Sequence, residues 1–232
     1  MDDHDRYPPD AWKLLSPQLT TERRERMLAA VAERTGFVRL VMQDTHHPHN
    51  VSACLRSAEA FGLSDVDLVC HREKFSPSTV ARGVAGWLRL NRRNSIAESV
   101  DWLKTSGFRL AAGVPPRSGV RTLDEIPLDQ PIAVLFGNEK LGVADEWKPH
   151  LDFEFTIPMY GMVESLNISV SAAISLQALT ARARKLLSPE IFHLDERGKV
   201  RLLNAWVCRQ LRAWDKQLQH LRAATTTKSG LI

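Results

Sequence analysis

A run without a single polar residue, Ile132-Ala-Val-Leu-Phe136, breaks directly into Gly137-Asn-Glu-Lys-Leu-Gly142. A segment apolar at every position has no face to offer water, so it predicts a strand buried on both sides, as in a parallel sheet. The glycine-bounded polar turn then falls at the carboxyl end of that strand, where parallel α/β sheets carry their ligands.

Two other segments repeat this grammar of strand, polar turn and helix. Phe37 to Met42 reads as a strand, followed by His46-His-Pro-His-Asn-Val-Ser-Ala-Cys-Leu-Arg-Ser-Ala-Glu-Ala-Phe-Gly62. Asn50 is the expected N-cap there. Val51, Cys54, Leu55, Ala58 and Phe61 form the apolar face, Arg56 falls off it, and Gly62 supplies the stop. Phe153 to Ile157 reads as a short strand leading into Pro158-Met-Tyr-Gly-Met-Val-Glu-Ser-Leu-Asn-Ile-Ser169. Beyond it Ile168, Ala172, Leu176 and Leu179 share one face of a long helix that either Ser165 or Asn167 can cap. Its first N–H groups would face a ligand at the strand end.

Further strands are expected at Val66 to Cys70, Leu88 to Leu90 and Phe108 to Ala112. Helices are expected at Thr20 to Arg34, ended by Gly36, near Ser78 to Ala85, and at Ile96 to Ser106. Strand and helix alternating in this way predict an α/β fold with a parallel sheet covered on both faces. With 232 residues, 44% of them hydrophobic, the chain can bury one full core with short additions. The expected division is an N-terminal extension and helix over 1–36, an α/β domain over 37–187, and a C-terminal helical extension over 188–232. In that extension Val200 to Leu221 predicts an amphipathic helix with Leu203, Val207, Leu211, Trp214, Leu218 and Leu221 along one side.

Several function classes are excluded. No apolar stretch approaches the length of a membrane span, and Met1-Asp-Asp-His-Asp is acidic where a secretory signal is basic, so the expectation is a soluble cytoplasmic protein without a membrane partner. Cys54, Cys70 and Cys208 are odd in number and lack C-x-x-C spacing, which suggests inert core thiols. His46, His47, His49 and nearby Asp44 lack the spacing of metal ligands, and no metal is expected; a His in that loop is better placed to touch a phosphate or a base. Neither Gly-x-Gly-x-x-Gly after the first strand nor Gly-x-x-x-x-Gly-Lys-Ser/Thr occurs, which removes Rossmann-type and P-loop sites.

Charge is uneven. From Ala181 onward eleven Lys or Arg stand against four acids, so the tail carries +7 and the remainder −3 of a formal net +4. Such a tail on an α/β core reads either as an electrostatic footprint for an RNA backbone or as the solvated face of an amphipathic helix.

Together the three polar turns resemble those of the SPOUT methyltransferases, and within them the TrmH-type tRNA (guanosine-2′-O)-methyltransferases. The first motif of that family, an Asn followed six residues later by an Arg, matches Asn50 and Arg56. The second, Gly-x-Glu-x-x-Gly after an apolar strand, matches Gly137, Glu139 and Gly142. The third, Ile-Pro-Met-x-Gly-x-x-x-Ser-Leu-Asn-x-Ser, matches Ile157, Pro158, Met159, Gly161, Ser165, Leu166, Asn167 and Ser169. All three occur in the family's order, within a resemblance that covers about residues 20–190. Leu141 departs from it, standing where a small Thr is frequent.

This resemblance implies a parallel-sheet SPOUT fold with a C-terminal trefoil knot, S-adenosyl-L-methionine as cofactor, tRNA as substrate, and a homodimer in which one subunit completes the other's site. It implies a cofactor pocket built from Ala112, Gly113 and Val114, from Phe136, Gly137, Asn138 and Gly142, from Ile157, Met159 and Gly161, and from Ser165, Leu166 and Asn167. The catalytic set it implies is Arg56, Asn50, Glu139, Ser165 and Asn167. Arg56 either activates the ribose hydroxyl or holds an RNA phosphate and orients that hydroxyl, since a guanidinium is a poor proton acceptor. RNA contacts are expected from Arg23 and Arg24 of the first helix, from His49, and from Arg182, Arg209 and Arg212. The leading target is guanosine 18 of the D-loop. Ribosomal RNA or the wobble ribose are the rivals within the class, and a non-catalytic RNA-binding protein is the rival outside it.

Overall fold

The apolar run Ile132–Phe136 forms a strand, buried at every position, in the middle of a seven-stranded sheet. The structure is a computed structural model that describes residues 6–45, 47–70 and 83–229, the last six for backbone only. Strands in chain order are β1 (Val38–Gln43), β2 (Asp65–Val69), β3 (Arg89–Arg93), β4 (Arg109–Gly113), β5 (Arg121–Thr122), β6 (Ile132–Phe136) and β7 (Phe153–Thr156). They lie in the order β3-β2-β1-β6-β4-β7-β5, and every pairing is parallel. All carboxyl ends therefore share one edge.

Helices α3 (Pro48–Ala60), α4 (Ile96–Thr105) and α5 (Ile168–Leu186) cover the sheet. Alternation along the strands divides its two faces. Val38, Leu40 and Met42 of β1 and Ile132, Val134 and Phe136 of β6 join Val51, Cys54, Leu55 and Ala58 of α3 and Ala172, Leu176 and Leu179 of α5 in one core. Val41, Ala133, Leu135, Leu110 and Ala112 face the other way, onto Val100 and Leu103 of α4 and onto Trp147. Gly62 ends α3 at φ +85°, a conformation that glycine reaches without strain.

On the second face the amino-terminal part of β1 to β3 is charged rather than apolar. Arg39 pairs with Asp67 and, at 3.2 Å, with Asp65, while its guanidinium lies 4.3 Å from the Trp102 ring centroid. Burial pushes the Asp67 carboxyl above its usual range, and the Arg39 charge opposes that shift. The pairs fill what would otherwise be an apolar layer under α4.

Two compact units are present, Thr35–His193 and the pair of segments Met1–Arg34 and Leu194–Ile232. The second unit holds α1 (Ala11–Leu15), α2 (Thr21–Ala32), α7 (Glu196–Gln210) and α8 (Trp214–Ser229), and α6 (Pro189–Phe192) closes the first. Ala11, Leu15, Val207, Cys208 and Leu218 make the core of the terminal unit. Buried Asn204 fastens the two termini together, accepting from the Trp12 N–H at 2.7 Å and donating to the Pro9 carbonyl at 3.1 Å.

Two expectations change, and one strand is new. The continuous helix from Val200 to Leu221 is broken between Gln210 and Trp214, with Ala213 at φ +51°. A straight stripe from Leu203 to Leu221 would run about 27 Å; the turn instead brings α7 and α8 onto the same short α1. Of the helix expected near Ser78 to Ala85, Ser78 to Arg82 lie outside the described residues, and Ala85–Trp87 is one 3-10 turn. Strand β5, two residues long at the sheet edge, has no sequence signature. Among the described residues no helix is long and apolar enough to cross a membrane.

Candidate active site

The turn after β6 is closed by its own backbone: Asn138 and Gly142 exchange N–H···O bonds of 2.9 Å each way, with Gly142 at φ +70°. A Cβ on Gly137 would lie 2.1 Å from the Gly142 carbonyl oxygen, so only glycine fits there. The Asn138 side chain is spent on the same loop. Its oxygen accepts from the Lys140 and Leu141 N–H groups at 2.8 and 3.0 Å, and its amide donates to the Asp44 carbonyl at 2.9 Å. This pins the loop to the end of β1.

Helix α3 begins earlier than expected. His47 is its N-cap residue and Pro48 occupies the first turn, so Asn50 is not the cap. Proline suits that place because it lacks the N–H that would go unpaired and its φ is already helical. Asn50 is thereby released to bridge loops. Its amide donates to Glu139 Oε1 at 3.0 Å, and its oxygen accepts from the Asn167 amide at 3.1 Å. Asn167 caps α5, its oxygen accepting from the Ser169 N–H at 2.8 Å and hydroxyl at 2.7 Å. The backbone N–H of His47 also points at Glu139 Oε1, at 3.5 Å. Glu139, Asn50 and Asn167 thus join the three polar turns in one hydrogen-bonded chain.

These turns enclose a cavity of about 540 Å³. Of the expected cofactor residues, Gly113, Val114, Phe136, Gly137, Asn138, Gly142, Ile157, Met159, Ser165, Leu166 and Asn167 line it, as do Asn50 and Glu139 of the expected catalytic set. Ala112 and Gly161 do not: Ala112 turns its side chain into the core beneath α4. Arg56 is exposed and off the lining. Six residues beyond Asn50, it lies about 120° round the helix from it. Lys140, inside the expected Phe136 to Gly142 segment, lines it too; His47, Pro115, Pro116, Val143, Phe155, Thr156, Ile168 and Ser171 complete the wall and were not anticipated. His47 and Lys140 sit inside or beside the motifs, yet nothing local says which way a side chain turns. Beneath Glu139, burial and that carboxylate together push the Cys54 thiol up to about 12, so it stays protonated.

The expected RNA-binding residues separate by what they touch. Arg23 donates to Gln210 at 2.6 Å, and Arg209 donates to the Tyr7 hydroxyl at 3.1 Å. Arg182 holds the Leu123 and Ile126 carbonyls at 2.5 and 3.1 Å. His49 and Arg212 are exposed and Arg24 is half-buried. His46 lies outside the described residues, and among those described no cluster of metal-ligating side chains occurs.

A doubly covered parallel sheet whose three motif-bearing turns close on one cavity at the strands' carboxyl ends is that of a SPOUT-class methyltransferase. Residues 38–177 match the SpoU rRNA Methylase family, and the chain belongs to that family. It is similar to the tRNA (guanosine(18)-2'-O)-methyltransferase of Borreliella burgdorferi, with 31% identity over 191 residues, which are 82% of this chain and 87% of that one. The fold superposes on the A. aeolicus TrmH/SpoU tRNA modifying enzyme with a TM-score of 0.72 at 22% identity, over 82% of this chain and 98% of the other. An AdoMet-bound rRNA methyltransferase from Sinorhizobium meliloti aligns with a TM-score of 0.57 at 25% identity, over 67% of this chain and 59% of the other.

Proposed function

We propose that this protein transfers the methyl group of S-adenosyl-L-methionine to the ribose 2′-hydroxyl of guanosine 18 in the D-loop of tRNA. The observation that carries this reading is the Glu139–Asn50–Asn167 chain, which fixes all three motifs around one cavity. The similarity to the Borreliella burgdorferi enzyme selects tRNA as the substrate.

The cavity suits the cofactor. Its volume, about 540 Å³, is in the range for a nucleoside joined to an amino acid. Phe136, Phe155 and Ile157 offer apolar walls for a base. A Cβ on Gly113 would come within 2.5 Å of the Phe136 ring, so glycine there keeps the strand ends close. Bound in this cavity, the cofactor supplies an electrophilic methyl group on a sulfonium. Holding that methyl in line with the ribose oxygen is the task of the stitched rim, since a loop displaced by about 1 Å can cost about 10²-fold in rate.

Arg56 is exposed and does not line the cavity of its own chain, which supports a homodimer in which it serves the cavity of the second copy. Val170 and Ile174 on α5 and Tyr160, Met162 and Val163 in the preceding loop are exposed apolar groups such a partner would cover. The reading includes the trefoil knot implied by the family resemblance, and action in the cytoplasm, where tRNA is found. Mass-spectrometric mapping of 2′-O-methyl nucleotides in tRNA incubated with the protein and labelled cofactor tests it. One methyl at guanosine 18 is expected; a methyl only outside the D-loop overturns the choice of target.

A further inference from the structure

We propose that His47 and Lys140 form an oxyanion subsite on the cavity rim that holds a phosphodiester of the RNA beside the acceptor ribose, an inference that rests on the methyl-transfer reading above. Both side chains line the cavity and both are exposed. They come from different elements, His47 from the start of α3 and Lys140 from the turn after β6. Among the described residues neither side chain has a hydrogen-bond or ion-pair partner.

Among the described residues Glu139 is the one carboxylate of the lining. Its Oε1 is turned to the Asn50 amide at 3.0 Å and the His47 backbone N–H at 3.5 Å. Behind His47 the Asp44 carboxylate is buried and accepts from Gln43 at 2.9 Å. Glu139 Oε1 and the Asp44 carboxylate are thus engaged by groups other than the His47 and Lys140 side chains. The backbone of Lys140 is held by its N–H bond to Asn138 at 2.8 Å, and His47 stands at the start of α3.

The substrate demands such a subsite. A ribose 2′-hydroxyl sits on the carbon next to the one bearing the 3′ phosphodiester, so a hydroxyl that enters the cavity brings a phosphate oxygen to its rim. Lysine and imidazole at that rim are donors suited to a phosphate. The methionyl carboxylate of the cofactor is the other oxyanion that could reach them, and measurements on the two ligands separate the sources.

The test compares the full-length protein with Lys140→Gln, His47→Gln and His47→Lys in three assays: steady-state methylation, tRNA filter binding across a salt series, and calorimetry with S-adenosylhomocysteine. For Lys140→Gln and His47→Gln, KM for tRNA is expected to rise roughly 5- to 10-fold with kcat within about twofold, as for loss of uniform binding. The Lys140→Gln salt slope should flatten by roughly 0.7 to 0.9. His47→Lys should restore KM, and S-adenosylhomocysteine affinity should stay unchanged throughout. Unchanged tRNA affinity and salt slope overturn the subsite, and a loss seen instead in S-adenosylhomocysteine affinity assigns the oxyanion to the cofactor and overturns the RNA contact. If the unmodified protein fails to methylate tRNA, the functional reading falls, while the salt series still decides the subsite from binding alone.

Discussion

The sheet unit and the terminal unit of this protein use polar residues in opposite ways. Thr35–His193 contains as many Asp and Glu as Lys and Arg, seventeen of each, while the two terminal segments carry the whole formal charge of +4. In the sheet unit polar groups are turned on one another: Arg39 on Asp65 and Asp67, Arg182 on loop carbonyls, Glu139 on Asn50 and Asn50 on Asn167. In the terminal unit buried Asn204 ties the termini together within a mainly apolar core, and bases such as Arg212 stay at the surface. Under the proposed function one region fixes geometry for chemistry, and the other projects a field toward the RNA, screened over about 10 Å at 0.1 M salt.

If that division is right, the largest effects come from loosening the rim of the sheet unit. Gly137→Ala places a methyl group 2.1 Å from a backbone oxygen, which must move and carry Glu139 with it. The expected outcome is no measurable turnover and lost binding of S-adenosylhomocysteine by calorimetry. Gly86→Ala, whose added Cβ meets nothing within 4 Å, is the matched control and should behave as the parent. Normal cofactor affinity in Gly137→Ala would show that the closed loop is not part of the site. Next in size is Arg56→Lys. A point charge does not replace a planar fork, and a fall on the order of 10²-fold in kcat is expected, with thermal stability unchanged because the residue is exposed. Near-normal turnover would reduce Arg56 to an ordinary helix arginine and remove the argument for a shared site.

How legible each unit was follows from the range of the forces that shape it. β6 occupies the residues expected of it, and β1, β4 and β7 fall within a residue or so, because burial writes itself into local alternation. The three polar turns could be placed at one edge because parallel strands end together. The Glu139–Asn50–Asn167 chain could not be read, because its bonds span 89 and 117 residues and no pattern in one turn records its partners in another. Asn50 shows the cost: a good capping residue by type, it was displaced from the cap by Pro48 and used for the bridge. In the terminal unit the stripe from Leu203 to Leu221 was visible, but its bend was not, because the bend answers to the shortness of α1. Asn204, the residue that joins the two termini, sits in α7 like any polar residue of a helix.

The smallest effect expected is also the one that sharpens the comparison most. Arg24→Gln combined with Arg212→Gln removes two bases of the terminal unit and leaves every residue that lines the cavity as it is. If that unit contributes only field and grip, KM for tRNA rises several-fold and the salt slope of binding flattens by about 0.7 to 0.9 for each charge in contact. At saturating tRNA kcat stays as it was, and S-adenosylhomocysteine binds as before. A fall in kcat would mean that these residues help orient the ribose in the cavity, and the separation of gripping from positioning would then fail. An unchanged KM and slope would instead make the basic surface a solvated helix face, and RNA recognition would have to reside in the sheet unit, around rim residues such as His47 and Lys140.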